Sequence, residues 1–145
     1  MRFDLENQLC VEQAFTGAAT VSTNSYKKQS AAQDLSIGRR MALLILPTVS
    51  AGAGSTHTLD CVQADNSALT TNKEVIATLS KAAADLTVSD VIELPIPQGV
   101  MSRQYIGFQN TSTGGTTTVT LDVYLVPQDE IALYKSFPKI NDAEV

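Results

Sequence analysis

Along residues 117–126 apolar and polar side chains alternate. Val119, Leu121, Val123 and Leu125 share one face, and Thr118, Thr120, Asp122 and Tyr124 share the other. A period of two marks a strand with one face on a core and one in water. Residues 103–109 alternate more loosely, with Ile106 and Phe108 as their apolar pair. The stretch 110–115 between them is rich in residues that accept positive φ or bond their own backbone. The pattern predicts an antiparallel hairpin over 103–127, closed by Pro127. Two strands alone are marginal, so the rest of the chain must supply sheet partners and a second layer.

Other runs predict those partners. Residues 18–25 read as a strand entering a turn at Asn24, and 27–38 as a polar loop ending at Gly38. Residues 40–47 form a continuous apolar run between a basic pair and Pro47, which fits a strand covered on both faces better than a short buried helix. Further strands are expected at 58–63, with Leu59 and Cys61 inward, at 74–79, and at 90–95, where Pro95 and Pro97 mark an edge or an end. Ser80–Asp85 suits one helical turn capped by Ser80. Seven or so short strands with polar turns and almost no helix predict an all-β chain: an antiparallel β-sandwich, jelly roll, of about seven or eight strands.

The ends do not alternate. Residues 1–17 are expected to be an N-terminal arm, 18–127 the sandwich domain, and 128–145 a C-terminal flap or, more readily, an arm that binds a neighbour. Their apolar residues Phe3, Leu5, Leu9, Ile131, Leu133, Tyr134 and Phe137 are the candidate partner contacts, together with the basic pair Arg39 and Arg40.

With 145 residues the chain suits one domain. Its net charge of −5 and dispersed Lys and Arg argue against a nucleic-acid face. Only 17% of residues are charged, so its Thr-, Ser- and Asn-rich surface is cheap to desolvate against a partner. No apolar run is long enough to span a bilayer, and the first residues lack a signal-peptide core, so folding in a cytoplasm is expected. Cys10 and Cys61 have no metal or redox spacing and are read as free thiols.

The search for chemistry finds little. His57 is the sole histidine and is read as an exposed residue at a strand start. No nucleophile elbow, zinc set or phosphate loop occurs. Asp60 with Asp65, or Asp129 with Glu130, match no calcium loop and read as solvated turn residues. Lys27-Lys28, like Arg39-Arg40, reads first as a solubilising pair and second as a contact for an acidic patch. An enzyme is not expected, and neither is a cofactor or metal.

Three stretches in order carry a resemblance: Asp4, Gln13-Ala14 and Val21–Asn24; Val91–Pro97 followed by Arg103–Phe108; and Gly114–Thr118 feeding the final strand. Together they resemble the capsid cement (decoration) proteins of Bordetella-type tailed phages. The resemblance implies a jelly roll on the outer surface of an icosahedral capsid. There it would bridge major capsid protein subunits and self-associate, commonly as a homodimer and alternatively as a trimer, after assembly in the bacterial host cytoplasm. Residues 27–33 and the tail depart from the family pattern. The alternative, a host-recognition or carbohydrate-binding β-sandwich module on the virion surface, would need exposed aromatics to stack on a sugar, for which Tyr26, Tyr105 and Tyr124 are the candidates. A cupin-like enzyme is argued against by the lone histidine.

Overall fold

The computed structural model describes residues 7–35, 37–88, 90–115 and 117–131. Its nine strands are β1 (Gln8–Thr16), β2 (Thr20–Val21), β3 (Tyr26–Lys27), β4 (Met41–Val49), β5 (Thr56–Ala64), β6 (Glu74–Ala82), β7 (Ile92–Pro95), β8 (Tyr105–Thr113) and β9 (Thr118–Pro127). Two antiparallel sheets result. One has the order β1-β9-β4-β7, the other β2-β8-β5-β6, with β3 also pairing β8. Consecutive strands thus repeatedly change sheets, the double Greek-key order of a jelly roll. The expected all-β sandwich is what forms.

The predicted hairpin is not. β8 pairs with β5, β2 and β3 in one sheet, whereas β9 pairs with β1 and β4 in the other. The connection from β8 to β9 is an arch that carries the chain from one sheet to the other. Turn residues and alternation require a reversal and two half-buried strands, and an arch satisfies both. Ile106 and Phe108 therefore meet the Val119–Leu125 face across the core rather than along a ladder.

A second correction concerns residues 1–17. From Gln8 on they are not an arm: β1 pairs with β9 and buries Leu9, Cys10 and Phe15 completely. The Phe15 and Phe108 rings, one from each sheet, meet edge to face with centroids 5.4 Å apart and planes at 86°. The signal was hidden because β1 slips register twice against β9, around Cys10 and Gln13, and Glu12 has φ 47°. Each bulge resets the side-chain period.

β4 is apolar on both faces, as its sequence predicted. Leu43 and Ile45 enter the main core, while Ala42 and Leu44 are buried on the outer side with Val126 and Ile131. The strand runs past Pro47 to Val49. Ile96 N–H donates to Met41 O, so odd-numbered backbone groups of β4 face β7, whose pairing stops at Ile45. The N–H that Pro47 lacks would point at no strand, so the proline breaks no ladder bond.

Three smaller expectations shift. The strand predicted over 18–25 shrinks to β2, and β3 follows it at residues where a loop was expected to begin. Residues 80–82 continue β6, leaving a 3-10 turn at Ala83–Asp85. The connection 65–73 is not merely a polar link, because Leu69 folds back onto Val62 and Ala64. It lies above Gly107, where an added Cβ would come 2.1 Å from Leu69 Cδ1.

Candidate functional site

The inward face of β5 runs His57, Leu59, Cys61, Gln63, and its two polar residues close the core at opposite ends. His57 is fully buried rather than exposed. Its Nδ1 lies 3.0 Å from Asn110 Nδ2 and its Nε2 3.1 Å from Thr117 Oγ1, which in turn bonds Ser55. Every partner is an amide or hydroxyl, so the imidazole fixes the arch and faces no reactive group. At the other end Gln63 Oε1 accepts from Ser102 N–H and Arg103 N–H, and its amide donates to Glu74 and Val100 O. Arg103 donates to both oxygens of Asp65 at 3.1 Å and to Glu74 at 2.8 Å. Bonds from Asn72 and Arg103 hold the Asp65 carboxyl below its ordinary value, and bonds from Arg103 and Gln63 do the same for Glu74.

Among the described residues no three His, Cys, Asp or Glu side chains cluster as metal ligands would. Asp60 lies on the outer face of β5 opposite Gln109, away from the Arg103 network that engages Asp65. Burial pushes the Cys10 thiol up to about 12 and raises that of Cys61 further, so both stay protonated, poor nucleophiles. Lys28 is not a solvated partner of Lys27. It is buried, and its Nζ donates to Ala31 O at 3.0 Å and Gln33 O at 2.6 Å, tying the 28–34 loop around one ammonium. Burial lowers its pKa, against the pull of Asp34. Tyr26, Tyr105 and Tyr124 are each packed on a hydrophobic cluster. None stands clear as a stacking platform.

What the fold does assemble is one end of the sandwich. Gln8 pairs with Tyr124 near the end of β9, and Met41 at the start of β4 pairs with Pro127. The start of β1, the end of β9 and the basic pair before β4 therefore lie at the same end of the sandwich. Arg39 Nη2 bonds Asp129 Oδ2 at 3.1 Å and lies 3.6 Å from Glu130 Oε1, joining the 28–40 loop to the chain after β9. That bond holds the Asp129 carboxyl below its usual range. Arg40 is exposed and flanks two adjoining clefts. One of about 400 Å³ is lined by Pro95, Ile96, Pro97, Gln98 and Gln128, the other of about 510 Å³ by Arg39, Glu93, Gln128 and Asp129.

The candidate contacts divide accordingly. Arg39 and Arg40 lie on this end and face solvent, Arg39 already engaged by Asp129. Leu9 is buried in the main core, and Ile131 is buried against Ala42, Leu44 and Val126, so neither presents a side chain to a partner. Ile131 makes the chain to that point a flap rather than an arm, because an apolar outer face on β4 needs covering. Phe3, Leu5, Leu133, Tyr134 and Phe137 lie outside the described residues. Sequence reading missed Gln128, which lines both clefts, since nothing in a lone glutamine announces a cleft. Compared with known proteins, the chain matches no protein-family model and no curated sequence.

Proposed function

We propose that this chain is a structural virion protein that decorates the outer surface of a tailed-phage icosahedral capsid, bridging and cementing major capsid protein subunits. The observation that carries the reading is the convergence of the start of β1, the end of β9 and the pair Arg39 and Arg40 at one end of the sandwich, while the buried His57 and Gln63 are engaged by internal bonds. Such a body is a stiff spacer with a single equipped end. Repeated on a lattice, modest contacts at that end add by avidity. The resemblance in sequence to capsid cement proteins supports the same role, and the weakly charged surface lowers the desolvation cost of every contact.

The test is addition of the purified chain to capsids lacking it, read by cosedimentation and cryo-electron microscopy. Full-length protein is expected to bind and raise the temperature at which capsids rupture. Chains lacking residues 1–6 or 132–145 keep every described strand and are expected to fold but lose binding. Truncation must stop short of Gln8, since deeper cuts remove β1. Undiminished binding by the doubly truncated chain would overturn the assignment of the contact to this end.

A further inference from the structure

Three adjoining clefts share Gln128, and their charges differ. The cleft of about 400 Å³ has Arg40 and no acidic residue on its wall. The cleft of about 510 Å³ sets two cations, Arg39 and Arg40, against two anions, Glu93 and Asp129. The third, of about 570 Å³, sets Lys81 against Asp85, Asp90 and Glu93. In a chain of net charge −5, the first is the one of the three with a positive balance, so it is the one that attracts an anion.

The two arginines are not equivalent. Arg39 is neutralised within the chain, by Asp129 at 3.1 Å and Glu130 at 3.6 Å. Among the described residues the Arg40 guanidinium makes no ion pair or hydrogen bond, and neither does the Gln128 carboxamide. Backbone bonds hold these two residues side by side. Gln128 N–H donates to Arg40 O at 2.9 Å, and Ile96 N–H donates to Met41 O at 3.0 Å. Because β9, β4 and β7 are neighbours in that order, residues 128, 40 and 96 meet where the three strands begin or end. The rest of the wall is Pro95, the buried Ile96, Pro97 and Gln98.

We infer that the 400 Å³ cleft binds the carboxylate of a glutamate side chain presented by a capsid subunit. The lining sets the ligand class. One guanidinium balances one negative charge, and its planar fork matches a carboxylate, with the Gln128 amide as a further donor. Pro95, Ile96 and Pro97 give the methylene stem of a glutamate an apolar surface to cover. An added β-strand is the poorer occupant, because Pro95 and Pro97 take N–H donors from the β7 edge. Naming a capsid subunit as the source rests on the proposed function, whereas the carboxylate site does not.

Two measurements separate the site from its source. In the isolated full chain, N-acetylglutamate methylamide is titrated while the NMR signals of the Arg40 Nε–H and the Gln128 side-chain amide are followed. Saturable shifts are expected that weaken with salt and are absent with the neutral N-acetylglutamine analogue. They are expected to vanish in Arg40→Gln, with its circular dichroism spectrum unchanged, and to persist in Lys81→Gln, which removes the same charge from the third cleft. No saturable shift, an equal response to the glutamine analogue, or undiminished shifts in Arg40→Gln would overturn the site. In capsid cosedimentation, Arg40→Glu is expected to weaken binding about tenfold or more, the effect of losing a charge-assisted pair, while Lys81→Gln binds as wild type does. Wild type and Arg40→Glu binding capsids equally well would overturn the capsid as the source. Wild type that binds no capsid overturns the proposed function and the source together, and the titration then decides the cleft alone.

Discussion

Phe15→Ala is the sharpest test of where the domain begins. Phe15 is fully buried on β1, and its ring meets Phe108 of the opposite sheet edge to face. Truncating a buried Phe costs about 3–5 kcal/mol, counting lost transfer energy and the cavity left behind. Of this, roughly 0.5–1.5 kcal/mol belongs to the aromatic pair. Were residues 1–17 an arm, the same change would fall within about ±0.5 kcal/mol, as surface substitutions do. Urea unfolding separates the two. With a slope of about 1–3 kcal/mol/M, a 4 kcal/mol loss lowers the midpoint by roughly 1.3–4 M. Because total stability is about 5–15 kcal/mol, Phe15→Leu serves as the gentler variant should Phe15→Ala not fold. A double-mutant cycle with Phe108→Leu is expected to show coupling of about 0.5 kcal/mol or more. A midpoint unchanged in Phe15→Ala, or strict additivity with Phe108→Leu, would refute the placement of β1 in the core.

Gly107→Ala places a Cβ 2.1 Å from Leu69 Cδ1. The overpacking is expected to cost about 1–3 kcal/mol in a thermal or urea melt, partly recovered by adding Leu69→Ala. The depressed carboxyls of Asp65 and Glu74 stabilise the fold above their ordinary values of 3.8 and 4.5. That contribution is lost as pH falls from there through their lower folded values. Melting temperature is expected to drop over that acid range in wild type, and less steeply in Arg103→Ala. Cys10 and Cys61 are expected to resist a thiol reagent at pH 8 in native protein and to react fully in denaturant, since burial raises both pKa values and blocks access.

The sequence exposed what period alone can carry. Strong alternation found β9, and the uninterrupted apolar run of β4 signalled burial on both faces, because each strand keeps its phase over its core contacts. It failed where phase or partner is set elsewhere. β1 was lost because bulges at Cys10 and Gln13 break its period. The link between β8 and β9 reads as a hairpin because the arch uses the same turn residues, and only the competition for partners, β5 for one and β4 for the other, decides between them. His57 and Lys28 looked like surface residues because their burial depends on distant groups, Asn110 and Thr117 for the imidazole and the carbonyls of a folded-back loop for the ammonium. At the candidate end, Arg39 and Arg40 were legible as a basic pair. Their proximity to Asp129 and Gln128 is a product of β4 and β9 lying side by side.

The same physics ties the fold to the proposed role. A sandwich that must transmit load between neighbours cannot let its core open at the ends of the strands. Here each end is closed by a polar residue on the central strand β5, whose bonds reach other elements. His57 engages Asn110 of β8 and Thr117 of the arch, and Gln63 engages Glu74 of β6 and the 100–103 segment. Removing one of these groups strands its partner at a cost of about 1–3 kcal/mol. In the proposed role, the surface that meets other molecules is the end around Arg40 and Gln128, where the internal bonding stops.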